Sequence, residues 1–351
     1  MGIIIALLVI SVLIFFHELG HFTAARFLGV KVEVFSIGFG KKLYTKMIGK
    51  TEWSISSIPL GGYVKMKGQD DTDPTKVSYD EDSYNSKKPW QRIIILLAGP
   101  FANFLMAFLL YLAISYMGVP KLLAYVGKVG KDTPALQAGM QKEDKILQVN
   151  GHNILYWETI GKYINESKGD ISLIIERDHK LVTLQLRPKV IDDQNIFGEK
   201  ITRRIIGISP SSKHTITAHY GPIEGFSYAW DETKKSSMLI FQSVQKLLTG
   251  AVGTDKLGGI ITIVDVTAQA SSAGILALFF FTALISVNLG VLNLLPIPAL
   301  DGGHIMFNLY EILRGKAPSE SAMYYMTVTG WILLAGLMFL GLYNDINRLM
   351  G

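Results

Sequence analysis

His17-Glu18-Leu19-Gly20-His21 lies inside an otherwise apolar stretch running from Ile3 to Leu28. On a helix, two histidines four residues apart project from one face, one above the other. Imidazoles so placed are a ready pair of nitrogen ligands for Zn²⁺, and Glu18 lies beside them, where it can serve a water on the metal. Ionisable side chains are expensive in a membrane-like segment, and where they occur they mark a functional site. The bland alternative is a surface helix whose histidines merely titrate, which suits this apolar setting poorly.

A catalytic zinc usually holds three protein ligands and leaves one position for water. The chain has no cysteine, so disulfides and thiolate chemistry are excluded and every ligand must be N or O. The third candidate lies in Asn293-Leu294-Leu295-Pro296-Ile297-Pro298-Ala299-Leu300-Asp301-Gly302-Gly303-His304. Here Pro296 and Pro298 interrupt an apolar span, and a regular helix cannot continue through both. Irregular backbone at membrane depth is tolerated where it is buried in protein or lines a wet cavity. Asp301 follows the break, beside two glycines that let backbone approach closely. Alone it reads equally well as a cap on an ordinary helix end. Set beside a histidine pair that lacks a third ligand, it reads as the missing carboxylate. His304 is a weaker competitor, as an indirect partner of the site or an interfacial side chain. Two imidazoles and a carboxylate suit several divalent ions besides zinc.

Such residues need rigid elements in a bilayer. The chain has 351 residues and a mean hydropathy of +0.30, high for a soluble protein. Four stretches approach or exceed the roughly 20 residues a spanning helix requires: Ile3 to Leu28, Ile93 to Met117, Ile275 to Leu295, and Met326 to Leu342. No Lys or Arg precedes the first, and no small-residue cleavage site follows it, so it reads as a retained span rather than a signal peptide. Lys31 to Lys88 carries about ten lysines flanked by Arg26 and Arg92, and Arg314 and Lys316 lie between the third and fourth spans. Both connections are therefore expected on the cytosolic side, with the two termini and the segment from about Pro120 to Gly274 outside. The net charge of +5 clusters near the membrane, where anionic headgroups account for it and a nucleic-acid partner is not expected.

Val32-Glu33-Val34-Phe35-Ser36, Glu52-Trp53-Ser54-Ile55-Ser56 and Tyr63-Val64-Lys65-Met66-Lys67 each alternate as strands do. An exposed strand edge can hold extended substrate backbone by strand addition. The plainer reading is an ordinary amphipathic sheet. Between Leu122 and Pro188 short β runs surround one helix signal after Asp132-Thr133-Pro134-Ala135, an Asn150-Gly151 turn, and a turn at Arg177-Asp178-His179-Lys180 joining Ile171 to Glu176 with Leu181 to Leu186. Thr217 to Gly250 follows as an amphipathic connection with Phe226, Tyr228, Trp230, Met238, Leu239 and Phe241 at a membrane boundary.

His17 to His21 in a first span, Gly99-Pro100-Phe101-Ala102-Asn103 in a second, and Asn293 to Gly302 in a later one resemble the site-2 protease family of intramembrane zinc metalloproteases. Within it the chain resembles the bacterial regulator-of-sigma-E proteases, over nearly its whole length. The resemblance implies His17, His21 and Asp301 as zinc ligands and Glu18 as the catalytic carboxylate. It also implies substrate-backbone contacts by Asn293, Pro296 and Pro298. Ile58 to Met66 resembles the family's membrane-dipping β-hairpin, which makes Gly61, Gly62, Tyr63, Val64, Lys65 and Met66 candidates for substrate binding. The insert resembles a single, circularly permuted PDZ domain, with Glu143-Asp144 where relatives often have Gly-Asp and no clear glycine-rich carboxylate-binding loop. A filter for bulky ectodomains, a spacer and a peptide binder remain its possible roles, and the family favours the filter.

The expected architecture is therefore an α-helical polytopic membrane protein. It has four transmembrane helices, a membrane-associated β-hairpin sheet and an inserted PDZ-like β-rich domain. The expected boundaries are 1–29 (first span), 30–91 (cytosolic β region), 92–118 (second span), 119–190 (PDZ-like), 191–274 (amphipathic connection), 275–313 (third, broken segment) and 314–351 (loop and fourth span). The implied reaction is zinc-dependent cleavage of single-span membrane proteins, such as anti-sigma factors, after their ectodomains are trimmed. Its implied place is the bacterial inner membrane. Glu18 accepts the proton of the attacking water and later delivers it to the leaving amine. A metal or proton transporter would also bury His, Glu and Asp, but is expected to show paired broken helices, and only one break is present. A membrane scaffold has no use for Glu18 between two ligands.

Overall fold

The structure, a computed structural model, describes residues 2–69, 78 and 80–350. Of the lysines used above for orientation, Lys76 lies outside the described residues. Two compact units are present: one from the chain up to Ile114 together with Glu224 onward, the other Ser115–Ile223.

The first unit begins with α1 (Gly2–Phe27). Although α1 is apolar all round, one stripe of it is buried: Ala6, Val9, Leu13, His17, His21 and Ala25. Steps of three and four residues keep that stripe on one face, so the histidines face the interior for the same reason Leu13 does. Strands β1 (Val32–Ile48) and β2 (Thr51–Met66) follow, joined through Gly49 at φ +65°. Three short strands were expected. Instead both strands are long and bend, so that Val34 to Ile37 is flanked by Glu52 to Ile55 on one side and Gly62 to Lys65 on the other. The sheet docks on α1 through aromatic side chains, Phe35 against Phe15 and Phe22 (both 5.6 Å) and Trp53 against Phe22 (5.3 Å).

Helix α2 (Pro89–Met117) carries Pro100 in its interior, where the ring displaces one backbone hydrogen bond and crowds the preceding turn. In the second unit lie β3 (Val119–Leu122), β4 (Val126–Val129), α3 (Pro134–Gln137), β5 (Lys145–Val149), β6 (His152–Asn153), α4 (Trp157–Glu166), β7 (Ile171–Arg177), β8 (Lys180–Leu186), β9 (Lys189–Gln194), β10 (Lys200–Ile205), β11 (Ile208–Pro210) and β12 (Thr215–Ala218). Thr133 caps α3, its hydroxyl accepting from the Leu136 amide. The β7–β8 turn places Asp178 and His179 at φ +47° and +60°, as a tight two-residue hairpin turn requires. Strand order in the main sheet is β6-β5-β7-β8.

The expected limit at residue 190 needs correction. Beyond it, β11 pairs with β4 and β12 with β3, and Ile206 is buried in one core with Ile160, Ile164 and Leu173. The reason is that β4 and β3 would otherwise present unpaired backbone, which buried segments do not tolerate. The 191–274 connection therefore divides into strands, an amphipathic helix and a further short helix.

Back in the first unit, α5 (Pro222–Leu248) buries only small side chains, Gly225, Ala229, Thr233 and Ser236, with Tyr111 of α2 hydrogen-bonded to Ser236 at 2.8 Å. Helix α6 (Ile260–Ala273) packs against α1. At 14 residues it is too short to span, and it was not expected as an element. Its first turn is held by Asp345, whose carboxylate accepts from the amides of Gly259, Ile261 and Thr262 at 2.9, 2.9 and 3.0 Å. Helices α7 (Ile275–Asn293), α8 (Asp301–Arg314) and α9 (Glu320–Met350) complete the unit; Asp345 belongs to α9. The broken third segment is thus two separate helices. By length and hydropathy α1, α2, α7 and α9 are able to cross a membrane.

Candidate metal centre

His17 and His21 sit one turn apart on α1, their Nε2 atoms 3.1 Å from each other. The Asp301 Oδ2 lies 3.4 Å from Nε2 of His17 and 3.5 Å from Nε2 of His21. Among the described residues this is the cluster of three His, Cys, Asp or Glu side chains whose ligand atoms converge. The triangle can be tested against zinc directly. Three atoms bound tetrahedrally at about 2.0–2.2 Å stand about 3.3–3.6 Å from one another. The observed edges match to within about 0.2 Å. Asp301 Oδ2 is also buried without a hydrogen-bond partner, an arrangement that costs free energy unless a cation occupies the gap. Donor set and spacing fit Zn²⁺.

The surrounding residues fix each of the three side chains. His21 Nδ1 lies 2.8 Å from the Ile95 carbonyl, so it donates there and leaves Nε2 bare. On the other ring, Nδ1 of His17 is 3.1 Å from the Asn103 amide nitrogen. Asp301 opens α8, with Leu300 at the N-cap, where the helix dipole favours a carboxylate. The loop before it folds back on that first turn. A side chain at Gly302 would strike the backbone of Leu294 and Leu295, and one at Gly303 the backbone of Ile297 and Pro298. At Gly99 of α2 a side chain would strike both imidazoles.

Asn293, the last residue of α7, brings its amide nitrogen to 3.3 Å from His17 Nε2. Pro296 is exposed and Pro298 half-buried in the loop. Glu18 is half-buried, and β2 passes beside it: a Cβ added at Gly62 would lie 3.5 Å from Glu18 Cγ. Gly61, at φ +140°, is covered by the Phe39 ring, with Tyr63 stacked on that ring at 6.2 Å. Val64 and Met66 turn away into a core with Ala25, Val30 and Ile95, while Lys65 lies 3.7 Å from Glu33. His304 packs edge-on to Phe307 and is not part of the triangle. Residue-by-residue reasoning did not single out Asn103. Its signals are its place in the Gly99 to Asn103 stretch that carries the resemblance and an amide side chain in the apolar middle of α2.

A model of Peptidase family M50 matches residues 5–337. The chain is 46% identical to a protein of Campylobacter jejuni over 98% of this chain and 93% of that one. It is 41% identical to one of Helicobacter pylori strain J99 over 99% of each, and 35% identical to one of Clostridium acetobutylicum over 98% and 97%. All three bear the name "putative zinc metalloprotease".

Proposed function

This chain belongs to peptidase family M50 and is a zinc metalloprotease, and from that premise we propose that it cuts single-span membrane proteins within or near their transmembrane segment. The substrate class includes anti-sigma factors whose ectodomains have first been trimmed. The observation that carries the reading is the triangle of 3.1, 3.4 and 3.5 Å between His17, His21 and Asp301, with the histidines held on a helix able to cross a bilayer. His17, His21 and Asp301 are its zinc ligands. When bound, zinc supplies Lewis acidity and a water acidic enough to lose its proton near neutral pH.

Glu18 accepts that proton and returns it to the leaving amine. The Asn293 amide, aimed into the space beside His17 Nε2, is placed to donate to a substrate carbonyl as charge develops on it. A helical substrate must be unwound before it is cut, because its carbonyls are already hydrogen-bonded. The closeness of Gly62 to Glu18 supports Gly61 to Met66 as a strand edge on which unwound backbone is held. The second unit is PDZ-like and acts as a size filter. What supports the PDZ likeness is its four-stranded sheet, capped α3 and α4 on one core, now completed by Ile206 to Pro210. The lysine distribution supports an inner-membrane protein with both termini and the second unit outside.

Purified Glu18→Gln should bind one zinc per chain yet fail to cut a model transmembrane peptide, whereas His21→Ala and Asp301→Ala should lose the metal as well. Full turnover by Glu18→Gln would eliminate this mechanism.

A further inference from the structure

Asn103 is fully buried on α2, its amide nitrogen 3.1 Å from Nδ1 of His17 and its amide oxygen buried without a partner. A hydrogen bond between these two nitrogens requires Nδ1 to accept, which puts the ring proton on Nε2. Yet Nε2 is the atom that faces Asp301 and His21, and a protonated Nε2 cannot ligate a metal. Half a turn of the amide, which barely changes its shape, brings the oxygen to Nδ1 instead. Nδ1–H of His17 then donates to Asn103 as Nδ1–H of His21 donates to Ile95, and both rings present a bare Nε2. The turn leaves the NH₂ rather than the oxygen unmatched, so the demand of the metal on Nε2 is what decides between the two orientations.

We propose that Asn103 is the positioning residue for His17, its amide oxygen holding the imidazole in the tautomer and rotation that bind zinc. The proposal rests on the reading of His17 as a ligand. Ile95 and Asn103 lie on α2 on either side of Pro100 and serve imidazoles one turn apart on α1. One acceptor is a main-chain carbonyl that no substitution removes, and the other is a side chain open to test. The backbone under Asn103 is itself anchored, because the Ser286 hydroxyl of α7 donates to its carbonyl at 2.7 Å. Thus α7, which delivers Asn293 to the site, also fixes the turn of α2 that delivers Asn103.

The test uses the full chain in detergent, with zinc dissociation constants from chelator competition and the visible absorption of the Co²⁺ form. Asn103→Leu, similar in size without the oxygen, should bind zinc roughly 10- to 100-fold more weakly, as loss of such outer partners does elsewhere, and should shift the Co²⁺ spectrum. Asn103→Asp keeps an oxygen acceptor and should retain the parent's affinity. If Asn103→Leu does not fold, Asn103→Ala, which empties space rather than filling it, carries the same expectation. Parent-like affinity in the Leu or Ala variant, or an equal loss in Asn103→Asp, overturns the proposal. His17→Ala, measured alongside, separates the two failures: if it too binds zinc like the parent, the ligand assignment is what has failed.

Discussion

Gly99 stands at the closest approach of α2 to the two imidazoles, and Gly99→Ala is the sharpest perturbation the site offers. A Cβ built there presses on Nε2 of His21 and comes within 2.5 Å of its Cε1 and 2.8 Å of Cε1 of His17. Carbon atoms rest about 3.5 Å apart or more, so the rings must retreat by about 0.7–1 Å. They have little freedom to do so. His21 is tied to the Ile95 carbonyl at 2.8 Å, and α1 already meets α2 where Gly20 faces the Ala98 carbonyl. A ligand set tolerates displacement of only about 0.5 Å, and overfilling a tight core costs about 1–3 kcal/mol. If that strain is relieved by giving up metal contacts, zinc binds roughly 5- to 150-fold more weakly. The assay is zinc retained at graded chelator concentrations, with protection of the α1 and α2 amides from exchange as a control for unfolding of the unit that holds the site. Parent-like zinc affinity in a folded Gly99→Ala protein would refute the placement of the imidazoles argued above.

Three further outcomes are expected. Ile206→Ala removes a core side chain contributed from beyond residue 190 and should destabilise the second unit by about 2–5 kcal/mol, read by hydrogen exchange, with zinc affinity unchanged; native-like protection there means the core does not depend on that segment. Prolines placed one at a time across Tyr63 to Lys67 should impair cutting of a helical substrate while zinc stays bound, and unchanged cutting at every position rejects the strand clamp. Replacing residues 119–218 with a flexible linker should admit substrates that keep intact ectodomains. Unaltered discrimination counts against the filter.

What could be read from the chain was whatever depends on near neighbours. The histidine pair is legible because the i, i+4 rule and the apolar setting both act within one helix turn. Asp301 is legible because two prolines announce the break that precedes it. The strands after residue 190 were not legible. Ile208 to Pro210 finds its partner about 80 residues earlier, at Val126 to Val129, and no local pattern encodes such a pairing. The double flanking of Val34 to Ile37 was hidden for the same reason, since alternation marks a strand but says nothing of how many neighbours it has. Helix α6 carries no such signal, because it is too short for a span and its first turn is completed by Asp345, about 80 residues on. Asn103 is legible as part of the Gly99 to Asn103 stretch, but its contact with His17 is hidden for a different reason. An amide in the apolar middle of a helix has a meaning only once the partner is known, and that partner sits on another span.

The break between α7 and α8 explains how one protein segment brings both Asn293 and Asp301, the proposed substrate donor and metal ligand, to the same imidazole. Asn293 and Asp301 are eight residues apart, and in an unbroken helix eight residues advance about 12 Å along the axis. Side chains so separated cannot meet at one atom. Here the Asn293 amide nitrogen lies 3.3 Å from His17 Nε2 and the Asp301 carboxylate 3.4 Å from that same nitrogen. Ending α7 at Asn293 and restarting the chain at Asp301 removes the axial spacing, and the close folding of the loop on Gly302 and Gly303 holds the two ends together. The restart also sets the Asp301 carboxylate in the first turn of a new helix, where the aligned backbone dipoles favour negative charge. A histidine pair on one helix defines a single edge of a coordination polyhedron. The prolines and glycines of residues 296 to 303 are what bring the Asp301 carboxylate, with the Asn293 amide beside it, to that edge.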